Sequence, residues 1–413
     1  MIQCNKLRKR GVCVKIAGIV AEYNPFHNGH KFHIEETRKQ GATHVVAVMS
    51  PNFVQRGDVA LFEKRIRTAV ALKNGVDLVL ELPSPYALGN AETFARGAVG
   101  IIKATGCVDM LSFGSESADE KLLKKAVESL NSNSCDHLIK KHLEEGNSFV
   151  KSRSLAIEEM FGTDVGKILS NPNDTLAVEY IKNLLDSDIE ICTVKREGVS
   201  HDADESNGRF ASASYIRNCI LTQSNIIPQN FLPCNALEDY KHEIYEKNAV
   251  FDVNNLFKVL LFKLRTMTPE QIASLPDVSE GIENKIKKAA ANANNFEELL
   301  TEIKSKRYTM ARIRRIICCA LNDITAEITA KNPPYIRVLG FNEKGAEVLS
   351  RMKKTASLPV SVSLSALEKE NEICKIFAQT EARCTDNFFL ASSLSVPAGF
   401  DYIQKPVIQN MNE

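Results

Sequence analysis

Four of the eight histidines fall between positions 27 and 44. Two of them form the motif His27-Asn28-Gly29-His30. Imidazoles at this spacing can donate hydrogen bonds to phosphate oxygens as charge builds on them in a transition state. An isolated HxGH arises by accident more often than not, so its meaning depends on the elements that carry it. The apolar run VKIAGIVA, residues 14–21, precedes the motif, and a helix-like stretch at about 29–40 follows it. A strand leading directly into a helix brings the motif to the carboxyl end of a parallel sheet, where the ligand crevice opens. The helix N-terminus adds free N–H groups and partial positive charge. Gly29 is expected to clear space for the backbone to approach a nucleotide. His33 lies one turn beyond His30 and can share its face. His44 opens the next apolar run, where a structural role is expected.

A second element, Ser212-Ala213-Ser214-Tyr215-Ile216-Arg217, follows an apolar stretch at 189–195 and a polar loop. Alone, these small hydroxyl residues read as a helix N-cap. Placed in one domain with the upstream histidines, they read as a second phosphate clamp. Ser212 and Ser214 would sit at a helix start, and Arg217, one turn later, would fork onto the β- and γ-phosphates. Ser50-Pro51-Asn52-Phe53-Val54-Gln55-Arg56-Gly57-Asp58 follows the second apolar run, so Arg56 and Asp58 are placed for substrate. Phe113-Gly114-Ser115-Glu116 ends the fourth run, and Gly114 permits close approach of an adenine or ribose. Asn171-Pro172-Asn173-Asp174 reads by default as a helix cap.

The elements that position these groups follow from the apolar pattern. Runs at 14–21, 43–49, 77–82 and 108–113 are continuous rather than alternating, with helix-like stretches at about 29–40, 60–74 and 91–104 between them. This order predicts a parallel α/β sheet. Residues 119–187 read as mostly helical, Ile189–Lys195 as a strand, and a short helix begins near 213. Residues 1–225 are therefore predicted as one α/β domain with a helical insertion. IIPQNFLPCNALEDY, 226–240, reads as a linker opening a helical region over 226–332. After Pro333-Pro334, YIRVLGF and LPVSVSL read as strands around a helix at 343–354, giving a small C-terminal α/β segment over 333–413. The last twenty or so residues show no clear pattern.

At 413 residues, with 44% apolar and 25% charged residues, the chain is an ordinary globular protein of two or three domains. A net charge of +1 excludes a global field toward nucleic acid, so any basic surface must be local. Lys304, Lys306, Arg307, Arg312, Arg314 and Arg315 form such a run, with no acid between 304 and 315. Arg312 and Arg315 share a helix face, with Arg307 near its opposite edge. A solvated helix face is the commonest meaning of such a run, and RNA contact is the other. Eleven cysteines, an odd number with no CxxC pair, point to a reduced, cytoplasmic setting. No ligand spacing repeats, so no protein-bound metal is expected. No run of 18 apolar residues predicts a membrane span, and Lys15 and Glu22 interrupt what a signal peptide would need. No Ser-His-Asp order, Walker loop or GxGxxG is present, and Val20-Ala21-Glu22 lacks the glycines of a dinucleotide turn, which argues against hydride transfer.

The strings GIVAEYNPFHNGHKFH, MSPNFVQRGD, ELPSPYALGNAETFARGAV, FGSE and ASASYIR together resemble the bacterial tRNA(Met) cytidine acetate ligase family, within the HxGH nucleotidylyltransferase superfamily. HxGH and the SASYIR stretch alone specify only the superfamily; the longer strings narrow it. The resemblance runs from about Val14 into PPYIRVLGFNEKG. It implies a Rossmann-like nucleotidylyltransferase domain and an ATP-dependent reaction. Acetate and ATP give acetyl-adenylate and pyrophosphate, and the wobble cytidine of elongator tRNA(Met) then takes the acetyl group as N4-acetylcytidine. It further implies an ATP segment over Val20, Ala21, Glu22, Tyr23, Asn24, Pro25, Phe26, His27, Asn28, Gly29, His30, Lys31, Phe32 and His33, with further contacts at Gly114, Asn173 and Arg196. His27 and His30 would act catalytically, Ser212, Ser214 and Arg217 would hold pyrophosphate, and Arg307, Arg312 and Arg315 would contact RNA. Mg²⁺ would accompany ATP, held by phosphates and water. No covalent intermediate is needed, so no Cys or Ser nucleophile is nominated. Thirteen residues precede Val14, where family members usually begin close to AGIVAEYNPF, and the expectation is that translation begins at Val14. The competing readings are a small-molecule adenylyltransferase with the same HxGH site and a non-catalytic RNA-binding protein. Some 190 residues beyond the catalytic domain favour a macromolecular substrate.

Overall fold

The computed structural model describes residues 14–147, 149–196, 206–222, 227–246, 249–279, 281–305 and 307–410. The thirteen residues before Val14 and the start-site expectation attached to them lie outside this set, as does Lys306. In chain order the strands are β1 Ile16–Ala21, β2 His44–Met49, β3 Phe53–Val54, β4 Asp58–Val59, β5 Leu78–Glu81, β6 Met110–Ser115, β7 Glu190–Lys195, β8 Ser206–Asn207, β9 Phe210–Ala211, β10 Ile336–Phe341, β11 Val360–Ser361 and β12 Val407–Ile408.

Eight of them form one sheet in the order β11-β10-β5-β2-β1-β6-β7, with β12 also paired to β10. Every pairing is parallel except β10 with β5. β2 and β5 are buried along their whole length, and they are apolar except for His44 at the start of β2 and Glu81 at the end of β5: helices cover both faces of the sheet. The chain winds outward from β1 to β2 and β5, then returns to β6 on the other side of β1. The β1/β6 boundary is thus the topological switch point, where a doubly wound sheet opens its ligand crevice.

The helical insertion lies between β6 and β7 and consists of Glu120–Leu130, Asn133–Glu144, Phe149–Phe161, Thr163–Ile168 and Pro172–Leu184. Of the residues read as a linker at 226–240, those described, 227–240, are instead packed onto the helices of the sheet. The Tyr240 ring stacks on Phe62 with centroids 4.4 Å apart, and its hydroxyl oxygen accepts from Phe26 N at 2.8 Å. Burial of a large aromatic with its polar end satisfied outweighs the loop-like composition around it.

The C-terminal strands do not build a separate sheet. β10 runs antiparallel along β5, pairing Phe341 with Leu78 and Val338 with Leu80, and so extends the catalytic sheet. A buried ion cluster fastens this seam. Lys64 Nζ lies 2.6 Å from Glu81 Oε1 and 2.8 Å from Asp401 Oδ2. Arg337 donates to Asp401 Oδ1 at 2.8 Å and to Glu81 Oε2 at 3.0 Å. Burial, with the Glu81 charge beside it, pushes the Glu381 carboxyl up to about 8, so at neutral pH it is mainly protonated, accepting from Ser84 N at 2.8 Å and from Ser84 Oγ at 3.0 Å. Two cations therefore face two anions and a neutral acid. Deleting one member of such a buried set costs about 3–5 kcal/mol.

Candidate active site

One open cleft at the switch point gathers most of the residues singled out from sequence. Val20, Ala21, Glu22, Tyr23, Asn24, His27, Gly29, His30, Phe32, His33, Gly114, Asn173, Arg196, Ser212 and Arg217 all line it. Pro25, Phe26, Asn28 and Lys31 do not; Phe26 is fully buried beneath the turn. Asn28 instead ties the turn to the chain beyond β9, donating to the carbonyls of Arg209 and Asn230 at 3.1 and 3.0 Å.

The motif turn is built by its own histidines. His27 is the N-cap of helix Asn28–Lys39. Its Nδ1 accepts from Gly29 N at 3.0 Å, and His30 Nδ1 accepts from His27 N at 3.2 Å. This is a capping box with imidazoles in place of hydroxyl and carboxylate. Because each Nδ1 receives a backbone N–H, the proton of each neutral ring sits on Nε2. The rings stack with centroids 3.8 Å apart. Gly29 lines the cleft and has a second role within the turn itself. A Cβ there would lie 2.9 Å from His27 Cε1, so the missing side chain makes room for the His27 ring. Tyr23, at the foot of the turn, has φ 49, a left-handed conformation costly for a bulky residue. Its ring is 1% exposed and packs on Phe26 and His30, which offsets that cost.

His33 donates Nε2–H to Ser112 Oγ at 2.9 Å: the Thr37 hydroxyl is spent on His33 O, so Ser112 donates to Thr37 and accepts from the ring. Burial, and secondarily the Arg196 charge, pushes His33 down to about 4, so it is neutral at pH 7 and supplies no charge to a phosphate. His44 is buried, lies 3.5 Å from Glu347, and burial lowers its pKa, consistent with a structural role.

Across the cleft, Ser212 caps helix Ala213–Thr222 by accepting from Tyr215 N at 3.0 Å. Arg217 donates to Asn24 O at 2.6 Å and to Ser214 Oγ at 3.0 Å. Ser214 thus orients Arg217 and does not itself line the cleft. Another wall of the cleft is set by β6 and β7. Asn173 Oδ1 accepts from Arg196 at 3.1 Å, and its amide donates to Glu116 at 2.5 Å. The helix Pro172–Leu184 is capped by Glu116, which accepts from Asp174 N at 2.9 Å, and not by Asn171, which makes no cap bond. A Cβ on Gly114 would lie 3.4 Å from Arg196 Cγ, an ordinary contact distance, so the Arg196 stem packs beside this glycine.

Several lining residues were not nominated from sequence: Phe94, Leu176, Tyr180 and Lys195. Lys195 alone had a readable signal, standing beside Arg196 at the end of β7. Below the cleft, Arg67 is fully buried and donates to the carbonyls of Glu22 (2.6 Å), Ser50 (3.0 Å), Phe62 (2.9 Å) and Pro51. It binds together the chain leaving β1 and β2. Arg56 lines the cleft, whereas Asp58 turns to Arg314 at 3.4 Å.

The basic run is divided. Arg312 donates to Asp277 O at 2.9 and 2.7 Å and to Ser279 Oγ at 2.8 Å, and Arg315 pairs with Asp277 Oδ2 at 3.2 Å. The expectation that these two reach RNA is revised, because their guanidinium groups fasten the 277–279 loop, where Asp277 has φ 61. Arg307 is exposed.

The profile of the HIGH Nucleotidyl Transferase family matches residues 14–396. A Thermoanaerobacter sp. (strain X514) protein called tRNA(Met) cytidine acetate ligase is 40% identical over 95% of this chain and 99% of its own length. The chain belongs to the tRNA(Met) cytidine acetate ligase family of HIGH nucleotidyl transferases. A Clostridium kluyveri member of the same name is 38% identical over 96% of this chain and 99% of its own. The family fold is shared with the crystal structure of Thermotoga maritima TmcAL, with a TM-score of 0.90, 33% identity, and 96% and 100% of the two chains covered. A second crystal form of that family member, bound with alpha-thio ATP, superposes with a TM-score of 0.88 at 32% identity over 96% and 100% of the chains.

Proposed function

We propose that this cleft activates acetate with ATP as acetyl-adenylate and passes the acetyl group to the wobble cytidine of elongator tRNA(Met), leaving N4-acetylcytidine, AMP and pyrophosphate. The observation that carries the reading is the paired imidazole turn, with both Nδ1 atoms committed to backbone and both rings lining the cleft. The names of the 40% and 38% identical relatives and the nucleotide analogue on the Thermotoga maritima protein support the choice of substrates.

The chemistry divides among the residues as follows. ATP lies with its base side toward Gly114, Asn173 and Arg196 and its phosphates between two helix N-termini, at Asn28 and Ala213. Nε2–H groups of His27 and His30 donate to phosphate oxygens as a carboxylate oxygen attacks the α-phosphorus. Ser212 and Arg217 hold the departing pyrophosphate, with Ser214 orienting Arg217. The cleft is rich in Lys and Arg, and its carboxylate Glu22 already accepts from Gln55 N at 2.8 Å. Mg²⁺ therefore enters on the phosphates of ATP, completing its shell with water. The adenylate is reactive enough for direct attack by the cytidine amine, so no nucleophilic side chain is required. The tRNA body lies over the helical region 226–332, with Arg307 at its surface. Among the described residues no helix is long and apolar enough to cross a membrane, and nine described cysteines are free thiols, as the cytoplasm requires.

The test is to incubate the protein with ATP, labelled acetate and bulk tRNA, digest the RNA, and look for labelled N4-acetylcytidine. Label in that nucleoside is the expected result. Pyrophosphate released only when a mononucleotide is supplied, with unlabelled RNA, would make the protein a small-molecule adenylyltransferase.

A further inference from the structure

The cations lining the cleft come from two sides of β1. Lys195 and Arg196 stand at the end of β7, and Arg217 reaches in from the helix Ala213–Thr222. Arg56 comes from the opposite side, on the β3–β4 hairpin that follows β2. That hairpin is rigidly held. Phe53 and Val54 are buried, and Phe53 packs edge-on against Phe388 with centroids 6.5 Å apart. The three-residue turn closes through Gly57 N to Val54 O at 2.9 Å, with Gly57 at φ 72, the left-handed position such a turn needs. A Cβ on Gly57 would lie 2.3 Å from Arg315 N, so the turn is pressed against the backbone of helix Met310–Leu321. On its cleft side, Gln55 N is held by Glu22 Oε1. Arg56 therefore stands half-buried in the cleft on a fixed support.

A doubly wound sheet binds its ligands across the switch point. The groups assigned to base and phosphates occupy the β6–β7 side and the two helix starts, which leaves the β2 side for the second reactant. That reactant is an anion that must approach an anionic triphosphate, so a cation has to accompany it. A guanidinium matches a carboxylate with two parallel N–H bonds, which an ammonium cannot do.

We propose that Arg56 binds the carboxylate of the acyl substrate and turns one of its oxygens toward the α-phosphorus. This assignment rests on the acyl-adenylate reading of the cleft. In the step it serves, the carboxylate oxygen forms a bond to the α-phosphorus. The bond from that phosphorus to the bridging oxygen breaks, and its electron pair leaves on pyrophosphate. Arg56 gives up no proton; it neutralises the incoming charge and fixes its direction.

The test is acetate-dependent ATP–pyrophosphate exchange, without tRNA, for the wild type, Arg56→Gln and Arg56→Lys, with ATP binding followed separately by calorimetry. The expected result for Arg56→Gln is a KM for acetate raised about tenfold or more, equivalent to one good ionic hydrogen bond. ATP affinity should stay within about twofold of wild type. Arg56→Lys keeps the charge and loses the fork, so its KM for acetate rises less; it also decides the matter if Arg56→Gln does not fold. An unchanged KM for acetate in the lysine and glutamine variants, or a parallel loss of ATP affinity, would place Arg56 elsewhere and overturn the assignment. Absence of any acetate-dependent exchange in the wild type overturns the acyl-adenylate reading itself, and the assignment with it.

Discussion

The imidazole rings of His27 and His30 stack at 3.8 Å, and each gives its Nδ1 to a backbone N–H of the same turn. The two side chains are thus structural caps and cleft-lining donors at once. Replacing either by Ala removes a transition-state donor and should lower turnover by on the order of a hundredfold. Loss of the cap also destabilises the helix start by about 1 kcal/mol. Turnover from acetyl-adenylate formation, compared with the thermal melt, separates the two effects. A variant with full turnover would remove that ring from the chemistry.

Gly29→Ala tests the turn without replacing either imidazole. The added methyl meets the His27 ring at a distance that real contacts do not reach, so the ring must swing away. A misplaced catalytic group of this kind costs on the order of a hundredfold in rate. The expected signature is a fall in kcat with ATP affinity changed far less. Wild-type kcat would mean that the ring position is not needed.

The ion cluster at the β5–β10 seam carries a pH signature. The Glu381 carboxyl is raised from 4.5 to about 8 in the folded protein. A group whose folded pKa is raised contributes stability that is fully present below its unfolded pKa and is lost as pH rises through the folded one. Stability should therefore decline between about pH 4.5 and 8 through this residue. Glu381→Gln removes that titration, so its melting temperature should fall less than the wild type's across the same interval. Parallel melting curves for the two proteins would show that Glu381 does not titrate in this way.

The basic run makes opposite predictions for its members. Replacing Arg312 and Arg315 together by Ala frees the 277–279 loop and should lower the melting temperature while leaving the salt dependence of tRNA binding unchanged. Arg307→Ala should reduce the slope of log affinity against log salt by about 1. Filter binding across a salt series distinguishes them. A flattened slope in the double variant would return those two arginines to the RNA surface.

Much of this architecture is legible in the chain because it rests on local pattern. The runs that became β1, β2, β5 and β6 are mostly apolar, and the histidine turn and the Ser212 cap are contiguous in sequence. What escapes the sequence is nonlocal. Lys64 and Arg67 lie on a helix where charges normally face water, yet their partners Glu81, Asp401 and the Glu22 and Ser50 carbonyls come from distant segments. The helix Glu372–Phe389 is obscured by buried Thr380, Glu381 and Thr385, which break the apolar spacing. Tyr240 is hidden in loop-like composition, and Asp401 in a tail without pattern. In the cleft, Phe94, Leu176 and Tyr180 look like ordinary core residues until the topology brings them to the switch point.

The pairing of Val79 with Gly340 has a consequence for how the protein is made. During synthesis, β5 leaves the ribosome long before β10 exists. For that interval the nascent chain carries an apolar strand edge open to neighbouring chains, the arrangement most prone to aggregation. The nucleotide half cannot settle early and wait: its outer edge and its buried lysine are completed only by segments much later in the sequence. The sheet closes late, by contacts of very long sequence separation, and chaperone demand should be concentrated in that window.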